Sequence, residues 1–346
     1  MPDSKPRLAL IGYGEAGRAF ARGWRAAGVT GDIRAFDIDP ARSLSASRAA
    51  ALEGAQAVFC LVTADRATEA FEQIAPHLPP DPPSGPPSGP SGGVLVFDGN
   101  SCAPATKREN ALVVEGAGGR YVDMAIMAPV HPRLHETPVL LAGPHAEAGR
   151  GMLARLGMRS RVAGDEVGQA SAIKMIRSVM VKGMEALFAE CVLAGRRAGV
   201  EDVVLDSLQD SFPEFDWAAR AAYSLERMMV HGTRRAAEMR EVARTVRELG
   251  LSGAMSEASA HWQALVGGLG LEAGVDDVRA RSDAILAVLG GAGPGGAGRV
   301  GEACVGEACV GEACVGEACV GGGAAPVAGA TPPAYLGKEE EEGEDR

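Results

Sequence analysis

The chain has 346 residues, 46% hydrophobic and 23% charged, with 47 glycines and only 4% aromatic residues, a size and balance that suit two soluble domains with cores of their own. Its net charge of −11 is concentrated late: residues 301–346 hold nine Glu and one Asp against Lys338 and Arg346, which leaves only −3 on residues 1–300. That excludes a basic footprint for nucleic acid and a polybasic membrane anchor; with no run of about 18 apolar residues and no apolar core in MPDSKPR, a cytoplasmic protein acting on a small molecule is expected.

In chain order, RLALIG (7–12) predicts a buried strand that turns through GYGEAG into a helix, EAGRAFARGWRAAG. A strand IRAFD (33–37), a short helix ARSLSASRAAAL, a strand AVFCLV (57–62), a helix RATEAFEQIAPHL and a strand VLVFD (94–98) follow. Residues 79–93, PPDPPSGPPSGPSGG, can build neither helix nor ladder and are expected to form a flexible surface insertion. After the helix SCAPATKRENALVVEGAG come strands YVDMAIM and TPVLLAG and a helix EAGRGMLARLG. This alternation predicts a parallel sheet with helices on both faces.

From Gly168 onward the pattern is helical. VGQASAIKMIRSVMVKGMEALFAECVLAGRRAGV (167–200) runs without proline far beyond the usual ~10 to 14 residues of a helix, and is expected to be a spine. Ile173, Ile176, Met180, Met184, Leu187 and Cys191 recur at helical spacing, while Lys174, Ser178, Lys182 and Glu185 line another side. Beyond its first turns the spine is expected to be buried among helices. Four more are predicted: DWAARAAYSLERMMVHG, RRAAEMREVARTVRELGL, SEASAHWQALVGGLG and VDDVRARSDAILAVLGG. The expected fold class is an α/β Rossmann-type doubly wound sheet (1–165) followed by an all-α C-terminal domain (166–290). Residues 291–346, with GEACV repeated four times from Gly301 to Val320, are expected to form a disordered low-complexity tail, because a period of five matches neither helix nor strand. Cys60, Cys102 and Cys191 are scattered and the other four cysteines sit in that repeat, so neither a disulfide framework nor a metal-binding CxxC pair is indicated.

Gly12, Gly14 and Gly17 follow a strand directly and open a helix, and Asp37 ends the next strand twenty residues later. In a dinucleotide-binding turn the first glycine permits the tight turn, the second lets a pyrophosphate approach, and the third lets the helix pack on the sheet. Tyr13, Glu15 and Ala16 complete the loop, and Val62 and Thr63 are placed to border the cofactor. Asp37 would accept hydrogen bonds from the adenosine ribose and repel a 2′-phosphate, which favours NAD; Arg34 and Arg42 nearby keep NADP open.

GYGEAG, DGNSCAP (98–104), VDMAIMAPV (122–130) and GQASAIK ending at Lys174 resemble the successive motifs of the β-hydroxyacid dehydrogenase superfamily, which includes 3-hydroxyisobutyrate and 6-phosphogluconate dehydrogenases. The resemblance spans residues 7–290; the helical part is closest to the C-terminal domain of a phosphogluconate dehydrogenase-like branch. It implies an NAD(P)-dependent oxidoreductase of a hydroxy acid or sugar-acid-like alcohol, a homodimer formed through the helical domain, and Lys174 as general acid/base. An amine can do this if its pKa falls from ~10.4 toward ~7 to 8, which burial and the Arg177 charge one turn on would favour.

The departures fall on the substrate side. Arg177 and Ser178 stand where the family usually has asparagines; Met127, Ala128 and Pro129 replace the serine and two glycines that cradle an acid group; and Asp98–Ser101 is closer to the GNS of 6-phosphogluconate dehydrogenases. Asn100, Ser101, Met127, Arg177 and Ser178 are therefore the candidate substrate residues, with Arg177 or His131 available to an anion. Met127 is equally readable as core packing, and Arg177 and Lys182 as ordinary face residues. An imine or keto reductase, or a cofactor-binding sensor without turnover, are the alternatives.

Overall fold

The computed structural model describes residues 5–79 and 93–290. Nearly all of the Pro/Gly insertion, and the whole GEACV and acidic tail, lie outside the described residues.

Strand β1 (Arg7–Ile11) has no solvent face: Leu8 and Leu10 enter one core while Ala9 and Ile11 enter another. This double burial marks a parallel sheet covered on both sides. Helix α1 (Glu15–Ala27), β2 (Asp32–Phe36), α2 (Arg48–Leu52), β3 (Ala57–Cys60), α3 (Ala67–Ile74), β4 (Leu95–Asp98), α4 (Pro104–Gly116) and β5 (Arg120–Ile126) follow in turn. Then come β6 (Val139–Ala142), α5 (Ala146–Arg155) and β7 (Ser160–Gly164), giving the order β2-β1-β3-β4-β5-β6-β7. On one face Trp24 packs on Phe59, which stacks on Phe97 at 4.7 Å between ring centroids. Register aligns the strand ends that matter: Ile11 lies opposite both Phe36 and Cys60, and Cys60 opposite Asp98. The loops after β1 to β4 therefore open side by side on one edge.

The sheet departs from a wholly parallel one. Strand β6 runs antiparallel to β5, because the segment joining them holds only a short 3-10 turn and no crossover helix. Strand β7, paired parallel to β6, was not anticipated; its sequence SRVAG is nowhere fully buried and carries no apolar run.

The helical part comprises α6 (Gln169–Ala198), α7 (Glu201–Ser211), α8 (Trp217–Glu248), α9 (Ala254–Gly267) and α10 (Val278–Gly290). Helix α6 realises the predicted spine and ends at Gly199 in the left-handed region. Helix α7 was not anticipated, and among its residues only Glu201 and Leu205 are buried. The two helices expected over 216–232 and 234–251 are one continuous α8. Gly232 is a contact point and not a break: a Cβ there would come within 2.3 Å of the Gln263 carbonyl oxygen and 2.7 Å of the Gly267 Cα on α9. Asp216 caps the helix, its carboxylate accepting from the Ala219 N–H at 2.9 Å.

The expected burial of the spine is inverted over much of its length. Ser178, Lys182 and Glu185 are buried, whereas Ile176 is 52% exposed, Met180 64% and Leu187 56%. The polar line is internal because α8 supplies charges to meet it: Glu238 against Lys182 and Arg235 against Glu185. Among the described residues no helix is long and apolar enough to cross a membrane.

Candidate active site

The strand ends Ile11, Phe36 and the loops beyond Cys60 and Asp98 face α6 and α8 across a cleft of about 680 Å³. Its first wall is backbone. Gly12 has φ +89°, and a Cβ there would lie 2.6 Å from the Leu61 carbonyl oxygen; a Cβ on Gly17 would lie 2.5 Å from the Gly12 carbonyl oxygen. Gly14 differs, since nothing stands within 4 Å of where its Cβ would be, so the space before it is open to the cleft. The N-terminus of α1 has no side-chain cap, and Glu15 and Ala16 also line the opening. Uncapped N–H groups and an open glycine fit a dinucleotide pyrophosphate.

The remaining predicted cofactor residues divide. Asp37, Val62 and Thr63 line the cleft. The Asp37 carboxylate accepts from the Tyr13 N–H at 2.7 Å and the Asp39 N–H at 2.9 Å. Tyr13 turns inward, its ring in the sheet core and its hydroxyl accepting from Arg25, so it shapes the loop through its backbone. Arg34 is held by Asp32 and Glu53, while Arg42 and Arg48 line the cleft beside Asp37.

Lys174 stands on the second wall, one and a half turns into α6, half-buried, and its Nζ donates to Ser101 Oγ at 2.7 Å. Burial pushes its pKa down to about 8; Glu238 opposes the fall, and the charges of Lys182, Lys107 and Arg234 add to it. The repulsion expected from Arg177 thus comes from other residues. Against the cost of burial, Lys182, Arg234 and Lys174 hold the Glu238 carboxyl well below the usual carboxylate range. Lys182 Nζ sits 2.7 Å from Glu238 and 3.5 Å from Ser178 Oγ, to which it donates.

Beneath this wall lies a polar network that aligns it. Asp98, Lys107 and Asp123 are fully buried, with Lys107 Nζ 3.0 Å from Asp98 Oδ1 and 3.4 Å from Asp123 Oδ1. Tyr121 and Asn110 donate to the other Asp98 oxygen. Asp123 Oδ2 accepts from the Gly168 and Ser171 N–H groups at 3.1 and 3.0 Å, which ties the start of α6 to the sheet and fixes the height at which Lys174 meets Ser101.

Of the predicted substrate residues, Ser101, Met127, Arg177 and Ser178 line the cleft. Met127 is both wall and packing, since it also touches the small cluster around Ala125 and Ala170. Asn100 does not belong with them: it is buried, its Oδ1 accepts from Val62 N–H at 2.7 Å and its amide donates to Cys60 Sγ, so it braces the loop from below. His131 is exposed and does not line the cleft. Sequence reasoning missed the α8 contribution, Arg220, Tyr223, Arg227, Arg234 and Glu238. A signal existed in the seven-residue spacing of Arg220, Arg227 and Arg234, hidden by the supposed break at Gly232.

Residues 196–266 match the family model described as a domain of unknown function, DUF1932. A conserved hypothetical protein from Sinorhizobium meliloti 1021 is 33% identical, with 83% of this chain and 96% of that one covered and a TM-score of 0.60. A conserved protein of unknown function, described for its structural similarity with 3-hydroxyacid dehydrogenases, is 26% identical over 77% of this chain and 99% of its own, with a TM-score of 0.53. A 3-hydroxyisobutyrate dehydrogenase from Salmonella typhimurium shares the fold at 17% identity and a TM-score of 0.58, covering 80% of this chain and 99% of that one. Among curated proteins, an uncharacterized 28.5 kDa protein in the 7S RNA 5′ region of Methanothermus fervidus is 26% identical over 117 residues, 34% of this chain. The chain spans 44% of the length of that curated relative.

Proposed function

The chain belongs to the β-hydroxyacid dehydrogenase superfamily, and from that premise we propose that it is an NAD(P)-dependent oxidoreductase of a hydroxy acid or sugar-acid-like alcohol, with Lys174 as general acid/base. The observation that carries this is the Lys174–Ser101 contact at 2.7 Å, facing the open glycine turn across one cleft. In this reading residues 1–165 form the cofactor domain and 166–290 the substrate and dimerisation domain.

The cofactor would lie with its pyrophosphate at Gly14 and the uncapped start of α1, and its adenosine ribose at Asp37. When bound, a nicotinamide supplies the hydride acceptor or donor. The chain manages the proton. With its pKa near 8, the Lys174 amine takes the proton of a substrate hydroxyl in oxidation, and its ammonium returns one in reduction. Ser101 Oγ holds Nζ in place, while Met127 and Ser178 bound the space before it. Asp37 favours NAD; Arg42 and Arg48 beside it leave room for the 2′-phosphate of NADP.

The exposed line Ile173, Ile176, Met180 and Leu187 on α6 supports a homodimer through this helix, since such a stripe is the pattern of a covered face. Light scattering on the full chain checks this: a monomer at micromolar concentration removes that part of the proposal.

Fluorescence titration with NADH and NADPH tests the cofactor, and binding of neither sinks the proposal. A screen of hydroxy acids and polyols for NAD(P) reduction then tests turnover. Lys174→Ala should lower kcat by roughly 10²- to 10⁴-fold with cofactor binding retained. Full turnover in that variant removes Lys174 from the mechanism, and reduction of ketones or imines without alcohol oxidation moves the protein to the reductase alternative.

A further inference from the structure

Helix α4 starts on residues that cannot cap it. Ala103, at the N-cap position, has no side-chain acceptor, and Pro104 follows as the first helical residue. The donors at this end are answered instead by a carboxylate from α8. Glu241 Oε2 accepts from the Ala103 N–H at 2.7 Å and from Thr106 Oγ1 at 2.9 Å, although Glu241 lies 138 positions beyond Ala103. In a capping box the third helical residue is a Glu or Gln that reaches back to the N-cap N–H; here that residue is Thr106, and the carboxylate comes from another helix. One turn further along α8, Arg244 donates to Thr106 Oγ1 and to Glu109, each at 2.9 Å. Ala103 and Thr106 are buried, so without Glu241 the Ala103 N–H would be a donor cut off from water.

Ser101 lies just ahead of this cap. Asn100, before it, is held from the sheet: its Oδ1 accepts from the Val62 N–H at 2.7 Å and its own N–H donates to Asp98 Oδ1 at 2.9 Å. Ala103, after it, is held from α8. Ser101 therefore projects from a segment pinned on both sides, and its Oγ accepts from Lys174 Nζ at 2.7 Å. The arrangement is reciprocal. Asp123, on the sheet, accepts from the Gly168 and Ser171 N–H groups and so sets the start of the helix that carries Lys174. Glu241, on α8, sets the start of the helix that Ser101 precedes.

We propose that Glu241 is a positioning residue for the proton-transfer pair: by capping α4 from α8 it holds the Ser101 loop where Ser101 Oγ stays within hydrogen-bond reach of Lys174. This rests on the oxidoreductase reading and adds a residue to it. Glu241 does not line the cleft, so it acts on neither cofactor nor substrate directly. Its leverage comes from the distance it controls. Ser101 and Lys174 stand on different parts of the chain, and their contact survives only while the loop before α4 keeps its place relative to α6. A misplacement of about 1 Å in such a pair costs on the order of 100-fold in rate. Loss of the cap removes the α8 anchor of the Ala103 N–H, frees the loop at the end nearest Ser101, and leaves the Lys174 amine without its fixed partner.

The test uses the full chain and two readouts. The first needs no turnover: the rate at which acetic anhydride modifies Lys174, followed by peptide mass mapping. Ser101→Ala should raise that rate by about fivefold, the exposure gained when one hydrogen bond is released. Glu241→Ala should raise it to the same level, and the two substitutions together should raise it no further. Glu241→Gln separates the carboxylate's charge from its capping role: it keeps an acceptor for the Ala103 N–H and should react as the wild type does. The second readout is kcat on a substrate found in the screen, which Glu241→Ala should lower by about 10- to 100-fold with the NADH dissociation constant unchanged. That loss should disappear in the Ser101→Ala background. Wild-type reactivity of Lys174 in Glu241→Ala, or additive effects of the two substitutions, overturns the proposal. Absence of NADH binding or of turnover would instead remove the oxidoreductase reading, while the labelling still reports whether Glu241 holds the Ser101–Lys174 contact. If Glu241→Ala is poorly folded, Glu241→Met serves, since it keeps the volume and withholds the acceptor; it should react at the same raised rate, and wild-type reactivity there overturns the proposal equally.

Discussion

The two walls of the cleft are built by different means. The sheet wall is backbone: Gly12 and Gly17 sit where a Cβ would collide with carbonyl oxygens, Gly14 faces open space, and the first turn of α1 is uncapped. The helical wall is side chain: Lys174, Lys182, Glu238, Arg227 and Arg220, gathered from two helices whose contributing residues lie some sixty positions apart. A backbone-built wall tolerates almost no change of shape but accepts any ligand with phosphates in the right place. A side-chain wall is held by charge balance and can be retuned by one substitution. Cofactor binding and substrate choice should therefore respond separately to mutation.

The sharpest break of this contrast comes at Gly14. Because its Cβ position is empty, Gly14→Leu should leave the fold intact and project into the space assigned to the pyrophosphate. The expected result is a loss of NADH affinity on the order of 100-fold, or about 2.7 kcal/mol, with little change in the thermal midpoint. Gly12→Ala is the internal contrast, since its φ of +89° and the Leu61 carbonyl at 2.6 Å predict a loss of stability instead. Unchanged NADH binding in Gly14→Leu would show that the cofactor does not approach there.

The difference between the walls also decides what could be read before the fold was known. Gly12, Gly14, Gly17 and Asp37 lie within one strand-turn-helix-strand unit, where spacing alone predicts the tight turn and the helix that follows it. Lys174 was legible for a related reason, as part of a contiguous motif. Glu238 was not: nothing local marks it, and its importance comes from meeting Lys182, 56 positions earlier in the chain. Gly232 misled because a mid-helix glycine reads as a stop, whereas here it lets α8 touch α9 at Gly267. Periodicity found the two lines of the spine but assigned burial by polarity. Charges supplied from α8 made the polar line internal and left Met180 and Leu187 outside. Asn100 was misplaced by one residue's turn of the chain: Ser101 reaches the cleft and Asn100 points beneath it.

The smallest effect tests the charge balance itself. Lys182 helps to hold the Lys174 pKa near 8, so Lys182→Met should raise it. The substitution leaves Glu238 with Arg234 at 2.8 Å, which avoids an unpaired buried carboxylate. The sign then follows directly. In the proposed mechanism oxidation needs the neutral Lys174 amine, whose fraction at pH 7 falls as the pKa rises, so the oxidative rate at pH 7 should drop by about two- to threefold and its pH midpoint should move above 8. Reduction needs the ammonium, and its alkaline limb should extend to higher pH by the same amount. A structural disturbance would lower both directions at every pH without moving either limb. Opposite displacement of oxidation and reduction at a fixed pH is therefore the signature that Lys174, tuned by its neighbours on α6 and α8, is the group that carries the proton.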